Sequence, residues 1–213
     1  MKKVLLVGSS SDIAKSLAVE GENNYIKLSS QSSNFNILEK STFPNIDSLD
    51  GIVYFPGTIN LKPFSNIKEK DFKNDYEINV LGLINTLQFY SKSLNINSSI
   101  VTISSIAANF GMPYHSSISM CKSSVEALTK SLAAEWAPKI RVNCIAPSLV
   151  STKLSNRLIN SEIKRGTISK KHPLKKIGQP HDISNTISFL LSEKSKWITG
   201  QIIRIDGGLS SIR

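Results

Sequence analysis

The segment HSSISMCK, His115 to Lys122, carries an imidazole and a primary amine seven residues apart. Seven residues is two turns of a continuous α-helix, so both groups share a face with Ile118 between them. Imidazole is the side chain that exchanges protons near neutral pH, so the pattern offers a proton donor on the same face as a cation. Ile118 has no proton to give. Tyr114 is the hydroxyl nearby, but its four-residue offset from position 118 displaces it by about 6 Å along a helix. A second constellation opens the chain. VLLVGSSSDIA ends an apolar run in Gly8, passes through Ser10 and Ser11, and enters a helix near Asp12 and Ile13. A strand, a small-residue turn and a helix start, in that order, aim backbone N–H groups at a phosphate. Asp12 either caps that helix or repels the phosphate, by about 1 kcal/mol at 4 Å in water and about 4 kcal/mol at intermediate dielectric.

The hydrophobic pattern supplies the scaffold these groups need. Six short apolar runs recur: VLLV (4–7), YIKL (25–28), GIVYF (51–55), SIVTI (99–103), IRVNCI (140–145) and QIIRI (201–205). Runs this apolar suit strands buried on both faces of a parallel sheet. Helical stripes lie between them. Val125, Leu128, Leu132 and Trp136 share a face that stops before Pro138, while Ile183, Ile187, Leu190 and Leu191 share another, with Asp182 placed to cap. Alternation of strand and helix predicts an α/β chain with a Rossmann-type doubly wound parallel sheet, one domain over residues 1–213. Only 22 residues, including SSQSSN, separate the second run from the third. One covering helix is therefore expected to be shortened or missing.

Composition narrows the classes. The chain has 213 residues, 40% of them hydrophobic, enough for one sizeable core. No run approaches a membrane span and the N-terminus lacks the pattern of a signal peptide, so a cytoplasmic protein is expected. The two cysteines, Cys121 and Cys144, have no metal-ligand spacing; no metal is expected, and both thiols are expected reduced. The net charge is +10. Residues 153–176 hold eight Lys/Arg against one acid, Glu162, which accounts for +7 of it. Without an interleaved aromatic or recognisable binding module, nucleic acid is not the expected partner. The segment reads as a solvated face or as a flap that attracts an anionic substrate.

These segments, in their order and spacing, resemble the short-chain dehydrogenase/reductase family along essentially the whole chain. LVGSSSDIA is similar to its TGxxxGxG turn, YFPG (54–57) to its NNAG, and INVLG (78–82) to the segment bearing its asparagine. TISSIAANFGMP carries the position of its serine, and Lys122 that of the lysine in YxxxK. RVNCIAPSLVSTKL is similar to RVNxIxPGxxxT, and HPLKKIGQPHDISNTISFLLSEKSKWITGQIIRIDGG to its C-terminal third. The resemblance implies an oxidoreductase that moves a hydride between NAD(P)(H) and a small carbonyl or alcohol. It implies catalytic places for Asn79, Ser105 and Lys122: the serine positions the carbonyl, while the lysine lowers the pKa of the acid and holds the ribose. Read without the family, Ser105 is a strand-end residue capping a turn and Asn79 holds a helix kink. The implied cofactor site comprises Gly8, Ser10, Ser11, Asp12, Ile13, Ser29, Ser30, Asn36, Gly57, Lys122, Pro147, Val150 and Thr152. Copies of the chain are implied partners, as a homodimer or homotetramer pairing through residues 70–93 and 116–136.

Four positions depart from that pattern. Asp12 and Ala14 stand where the family has its second and third glycines, Ser148 where a glycine follows the proline, and Ile118 where it has the tyrosine that exchanges the substrate proton. General acid–base catalysis is worth about 10²–10⁴-fold, so losing the tyrosine impairs carbonyl reduction without erasing hydride transfer. His115 is the expected replacement, although a histidine ahead of a helix is commonly structural. His172 and His181 read as loop residues. No acid follows the second strand, which leans the cofactor toward NADP over NAD. The expectation is an oxidoreductase with an altered proton donor; the alternative is a nucleotide-binding sensor or scaffold without turnover.

Overall fold

In the computed structural model, which describes residues 1–20, 22–31 and 34–212, each of the six apolar runs forms a strand. They are β1 (Lys3–Val7), β2 (Asn24–Leu28), β3 (Leu49–Tyr54), β4 (Leu94–Ile103), β5 (Ile140–Pro147) and β6 (Ile202–Ile205). All pair in parallel, in the order β2-β1-β3-β4-β5-β6. Among the described residues six α-helices accompany them: α1 (Asp12–Glu20), α2 (Glu69–Tyr76), α3 (Gly82–Tyr90), α4 (Ser116–Trp136), α5 (Glu162–Lys171) and α6 (Pro180–Leu191).

Side chains alternate across a strand, and in the inner strands both faces are largely buried, whereas the edge strands β2 and β6, expected to be buried too, are only partly covered. Leu5 and Val7 of β1 join a core with Leu83, Leu87, Val125 and Ala133, whereas Val4 and Leu6 join one with Leu17, Ile183, Ile187 and Leu190. Helices α3 and α4 therefore cover one face and α1 and α6 the other, the doubly wound arrangement. The capping expected of Asp182 is present, its Oδ2 accepting the Gln179 N–H at 2.7 Å.

Between β2 and β3 the described residues form no α-helix, only a single 3-10 turn at Lys40–Thr42. An aromatic cluster takes the place of the missing cover. Phe43 sits with ring centroids 4.8 Å from Phe35 and 5.1 Å from Phe89, and Tyr90 stacks on it at 6.0 Å. Large aromatic side chains bury enough area to shield a sheet edge from a short loop. The part of the SSQSSN expectation that concerns Ser32 and Ser33 lies outside the described residues.

A π-helical turn, Glu77–Leu81, joins α2 to α3. Such a turn displaces the backbone bonding pattern, and Tyr54 Oη donates to the Ile78 carbonyl at 2.6 Å. One turn earlier, Asp75 is fully buried. Hydroxyls of Thr58 (2.5 Å) and Ser117 (2.7 Å) donate to its carboxylate, with Asn60 Nδ2 at 3.3 Å. A buried carboxylate persists only with such donors, and this one ties the loop after β3 and the start of α4 to α2.

Residues 153–176 fold over the carboxyl ends of the strands as a 3-10 turn (Asn156–Leu158) and α5. The basic side chains are largely outside, while Ser155, Ile159 and His172 are buried anchors. The segment is closed by a parallel bridge from Val150 to Gly178.

Candidate functional site

The chain leaves β1 for β2 on one side, and β3 lies on the other. Open α/β sheets bind ligands at such a switch point, beyond the carboxyl ends of the strands. A cavity of about 1260 Å³ lies there, above the 300–1,000 Å³ of ordinary small-molecule pockets and roomy enough for a dinucleotide with a substrate.

Nearly every expected site residue lines it. Gly8, Ser10, Ser11, Asp12 and Ile13 come from the turn after β1, Ser29, Ser30 and Asn36 from beyond β2, and Gly57 from beyond β3. Ser105 follows β4, Pro147 ends β5, Val150 and Thr152 come next, and His115 and Lys122 belong to the start of α4. Gly8 has φ +79°, and a Cβ there would stand 2.8 Å from Pro56 Cδ, so the turn requires glycine on two counts. The first turn of α1 then faces the cavity, and the opening N–H groups of a helix lack intrahelical partners.

The centre of the site is built on a buried amine. Lys122 is 7% exposed, its Nζ donates to the Ile103 carbonyl at 2.9 Å, and burial pulls the amine down to about 8. Asn79 stands behind Gly57 and is not itself a wall of the cavity. Its Nδ2 donates to the Asp75 carbonyl (2.8 Å) and to Thr58 Oγ1 (2.9 Å), while its buried Oδ1 has no hydrogen-bond partner. A Cβ on Gly57 would come within 3.2 Å of that Oδ1 and 3.4 Å of Lys122 Nζ, so the missing side chain leaves a polar cradle between them. Ser105 accepts the Ala107 N–H at 3.2 Å and also lines the cavity: it caps a turn and faces the site together. Ile118, 5% exposed, presents an apolar wall one turn from Lys122.

Three residues differ in detail from what their sequence context suggested. His115 is not within a continuous helix with Ile118: α4 starts at Ser116, so His115 is its N-terminal flanking residue, with backbone φ −101° and ψ 13°. Its Nδ1 lies 2.7 Å from the Pro113 carbonyl, which fixes the proton on that nitrogen. Asp12 does more than sit at a helix start; its Oδ2 accepts the Lys153 N–H at 2.6 Å and latches residues 153–176 to the turn after β1. His172 is a loop residue, as expected, but a buried one. It is 2% exposed and lines the cavity, with Nε2 2.9 Å from Ser148 Oγ and Nδ1 3.0 Å from the Ile168 carbonyl. The signal for this pair in the sequence was Ser148 standing where a glycine was expected.

Chemically, the arrangement offers an anion-binding turn, a buried amine, two histidines and the hydroxyls of Ser105 and Ser148 around one cavity. No group of three or more metal-ligating side chains occurs among the described residues, and no helix among them is long and apolar enough to cross a membrane.

Residues 14–210 match the family model described as enoyl-(acyl carrier protein) reductase. The chain belongs to the short-chain dehydrogenase/reductase family. The 3-oxoacyl-[acyl-carrier-protein] reductase FabG of Thermotoga maritima is 35% identical over 146 residues, 67% of this chain and 58% of that protein. This chain thus spans little more than half the length of that relative. A short chain dehydrogenase family protein from Francisella tularensis superposes with a TM-score of 0.89 at 27% identity, covering 99% of both chains. ElxO with NADP bound gives 0.87 at 27% identity, covering 99% of this chain and 100% of that one.

Proposed function

We propose that this protein is an oxidoreductase that reduces a small carbonyl with hydride from NADPH, or runs the reverse oxidation, with a proton donor other than the family tyrosine. The observation that carries the reading is the cradle at Gly57, where a buried, unpartnered Asn79 Oδ1 and the Lys122 amine face one gap at the switch point. The Lys122 amine lines the cavity, and a sugar hydroxyl there would accept a hydrogen bond from it. The residues present therefore fit a dinucleotide. Lys122, backed by the buried Asn79, would hold its ribose, and the turn from Gly8 to Ile13 its phosphates. Pro147, Val150 and Thr152 would meet the nicotinamide end. When bound, the reduced nicotinamide supplies the hydride.

The lining beyond β2, Ser29, Ser30, Gln31 and Asn36, carries no acid to repel a 2′-phosphate. That composition, together with the NADP in ElxO, favours NADP over NAD. Ser105 would hold the substrate oxygen. Ile118 occupies the place of the family's tyrosine and leaves the proton to other groups, His115 and His172 being the two imidazoles of the cavity. Lys153 and Lys171 also line it and suit a substrate bearing negative charge. We place the protein in the cytoplasm as a dimer or tetramer of itself.

The experiment is an NADPH oxidation assay with acetoacetate, its neutral ethyl ester and a panel of other small ketones and aldehydes. Turnover is expected, faster with the anionic member of the pair. NADPH consumption at the background rate with every carbonyl contradicts the reading.

A further inference from the structure

The Ser148–His172 pair is a built acid/base unit. The Ile168 carbonyl, one turn back at the end of α5, can only accept, so Nδ1 of His172 carries a proton. In the neutral ring, Nε2 then presents its lone pair to the Ser148 hydroxyl at 2.9 Å. In the charged ring, both nitrogens donate, and the serine O–H is released toward the cavity. The same geometry serves both protonation states without a side chain moving. A hydroxyl and an imidazole oriented by a third group are the arrangement enzymes use to move protons.

The pair also stands in the right place. Strands β4 and β5 run in register, Ile103 opposite Ile145, and the Ser104 N–H donates to the Ile145 carbonyl at 2.7 Å. Ser105 and Ser148 therefore emerge from adjacent strand ends, with Lys122 Nζ held on the Ile103 carbonyl between sheet and α4. His115 flanks α4 with partial exposure, and among the described residues its ring meets the Pro113 carbonyl and no hydroxyl.

We propose that His172, acting through Ser148, delivers the proton that Ile118 cannot. This rests on the reading that the cavity holds NADPH and a carbonyl. The carbonyl carbon gains a hydride with its electron pair from the reduced nicotinamide. The C–O π pair moves to oxygen, which takes the Ser148 proton, and Ser148 takes the Nε2 proton of the imidazolium. The products are an alcohol, NADP and neutral His172, which is recharged from water. The carbonyl is reduced, the nicotinamide oxidised, and one proton is consumed. Ser148 is the group that touches substrate; His172 acts through it.

The other ionisable groups of the cavity are Asp12, Glu77, His115, Lys122, Lys153 and Lys171. Asp206 is next to Gly207, whose Cβ, if present, would lie 3.5 Å from His172 Cδ2. The test compares wild type with Ser148→Ala, Ser148→Thr and His172→Gln, using NADPH titration and kcat against pH for the fastest substrate of the panel. Wild-type reduction is expected to slow as pH rises, because the donor must be protonated. Ser148→Ala and His172→Gln are expected to lose about a hundredfold or more in kcat and to flatten the profile, with NADPH affinity unchanged. Ser148→Thr retains the hydroxyl and most of the rate. Wild-type kcat with an unaltered pH profile in Ser148→Ala overturns the assignment, even if His172→Gln fails to fold. Failure of the wild type to bind NADPH overturns the functional reading instead.

Discussion

Replacing Lys122 by methionine should make the stability of this protein respond differently to pH. Burial lowers the amine from the ordinary 10.5 to about 8. Below pH 8 the group is charged in both folded and unfolded chains. Between pH 8 and 10.5 the folded protein has released a proton that the unfolded chain still holds, so the unfolded state binds more protons and stability rises with pH. At 1.36 kcal/mol for each factor of ten, the full displacement corresponds to about 3 kcal/mol, of which about 2–3 kcal/mol is gained between pH 7 and pH 10. The variant has no such group. Other titrations occur in both proteins and cancel in the difference, including those of Cys121 and Cys144, whose thiols burial pushes up to about 11. Urea unfolding of both proteins at the two pH values measures it. The stability of wild type minus that of the variant should grow by about 2–3 kcal/mol on going from pH 7 to pH 10. A difference that stays flat, or shrinks, refutes the claim that the amine is charged at a desolvated site.

Substitutions at three further positions probe the site. Gly57→Ala should leave the fold intact, since the nearest atoms to its Cβ are side-chain tips at 3.2 and 3.4 Å; filling the cradle should weaken NADPH binding by about tenfold, about 1.4 kcal/mol, and unchanged affinity in fluorescence titration counts against the ribose assignment. Asp12→Asn keeps an acceptor for the Lys153 N–H and removes a charge from the phosphate turn, so NADPH should bind more tightly by about 1 kcal/mol, whereas Asp12→Gly loses the latch as well and should gain less; weaker binding by Asp12→Asn contradicts the repulsion argument. Ile118→Tyr restores a hydroxyl one turn from Lys122 and should restore turnover to the Ser148→Ala variant; a double variant as slow as Ser148→Ala alone contradicts the assignment of the tyrosine's place to residue 118.

Much of this was legible from local pattern. A strand buried on both faces must be apolar along its length, so GIVYF and SIVTI could be read directly, and the shortness of residues 29–50 excluded a second full strand and helix. The cavity residues followed from the order of segments, because a parallel sheet brings every strand end to one side. What escaped was polar pairing across the chain. Nothing local joins Ser148 to His172, Asp12 to Lys153, or Thr58 and Ser117 to Asp75, bonds that span 24, 141, 17 and 42 residues. His172 carried no signal of its own, since the residue after a basic helix reads as solvated until tertiary contacts bury it. His115 lines the cavity, but the helix starts one residue after it, and neighbouring Tyr114 has φ +69°, outside the helical region.

The central claim is that the turn after β1 and the amine of Lys122 converge on one reduced dinucleotide. Calorimetric titration of the folded wild-type chain with NADPH tests it most directly. Saturable uptake of one NADPH per chain, diminished in Gly57→Ala, is the predicted result; no heat of binding at millimolar NADPH would contradict the account.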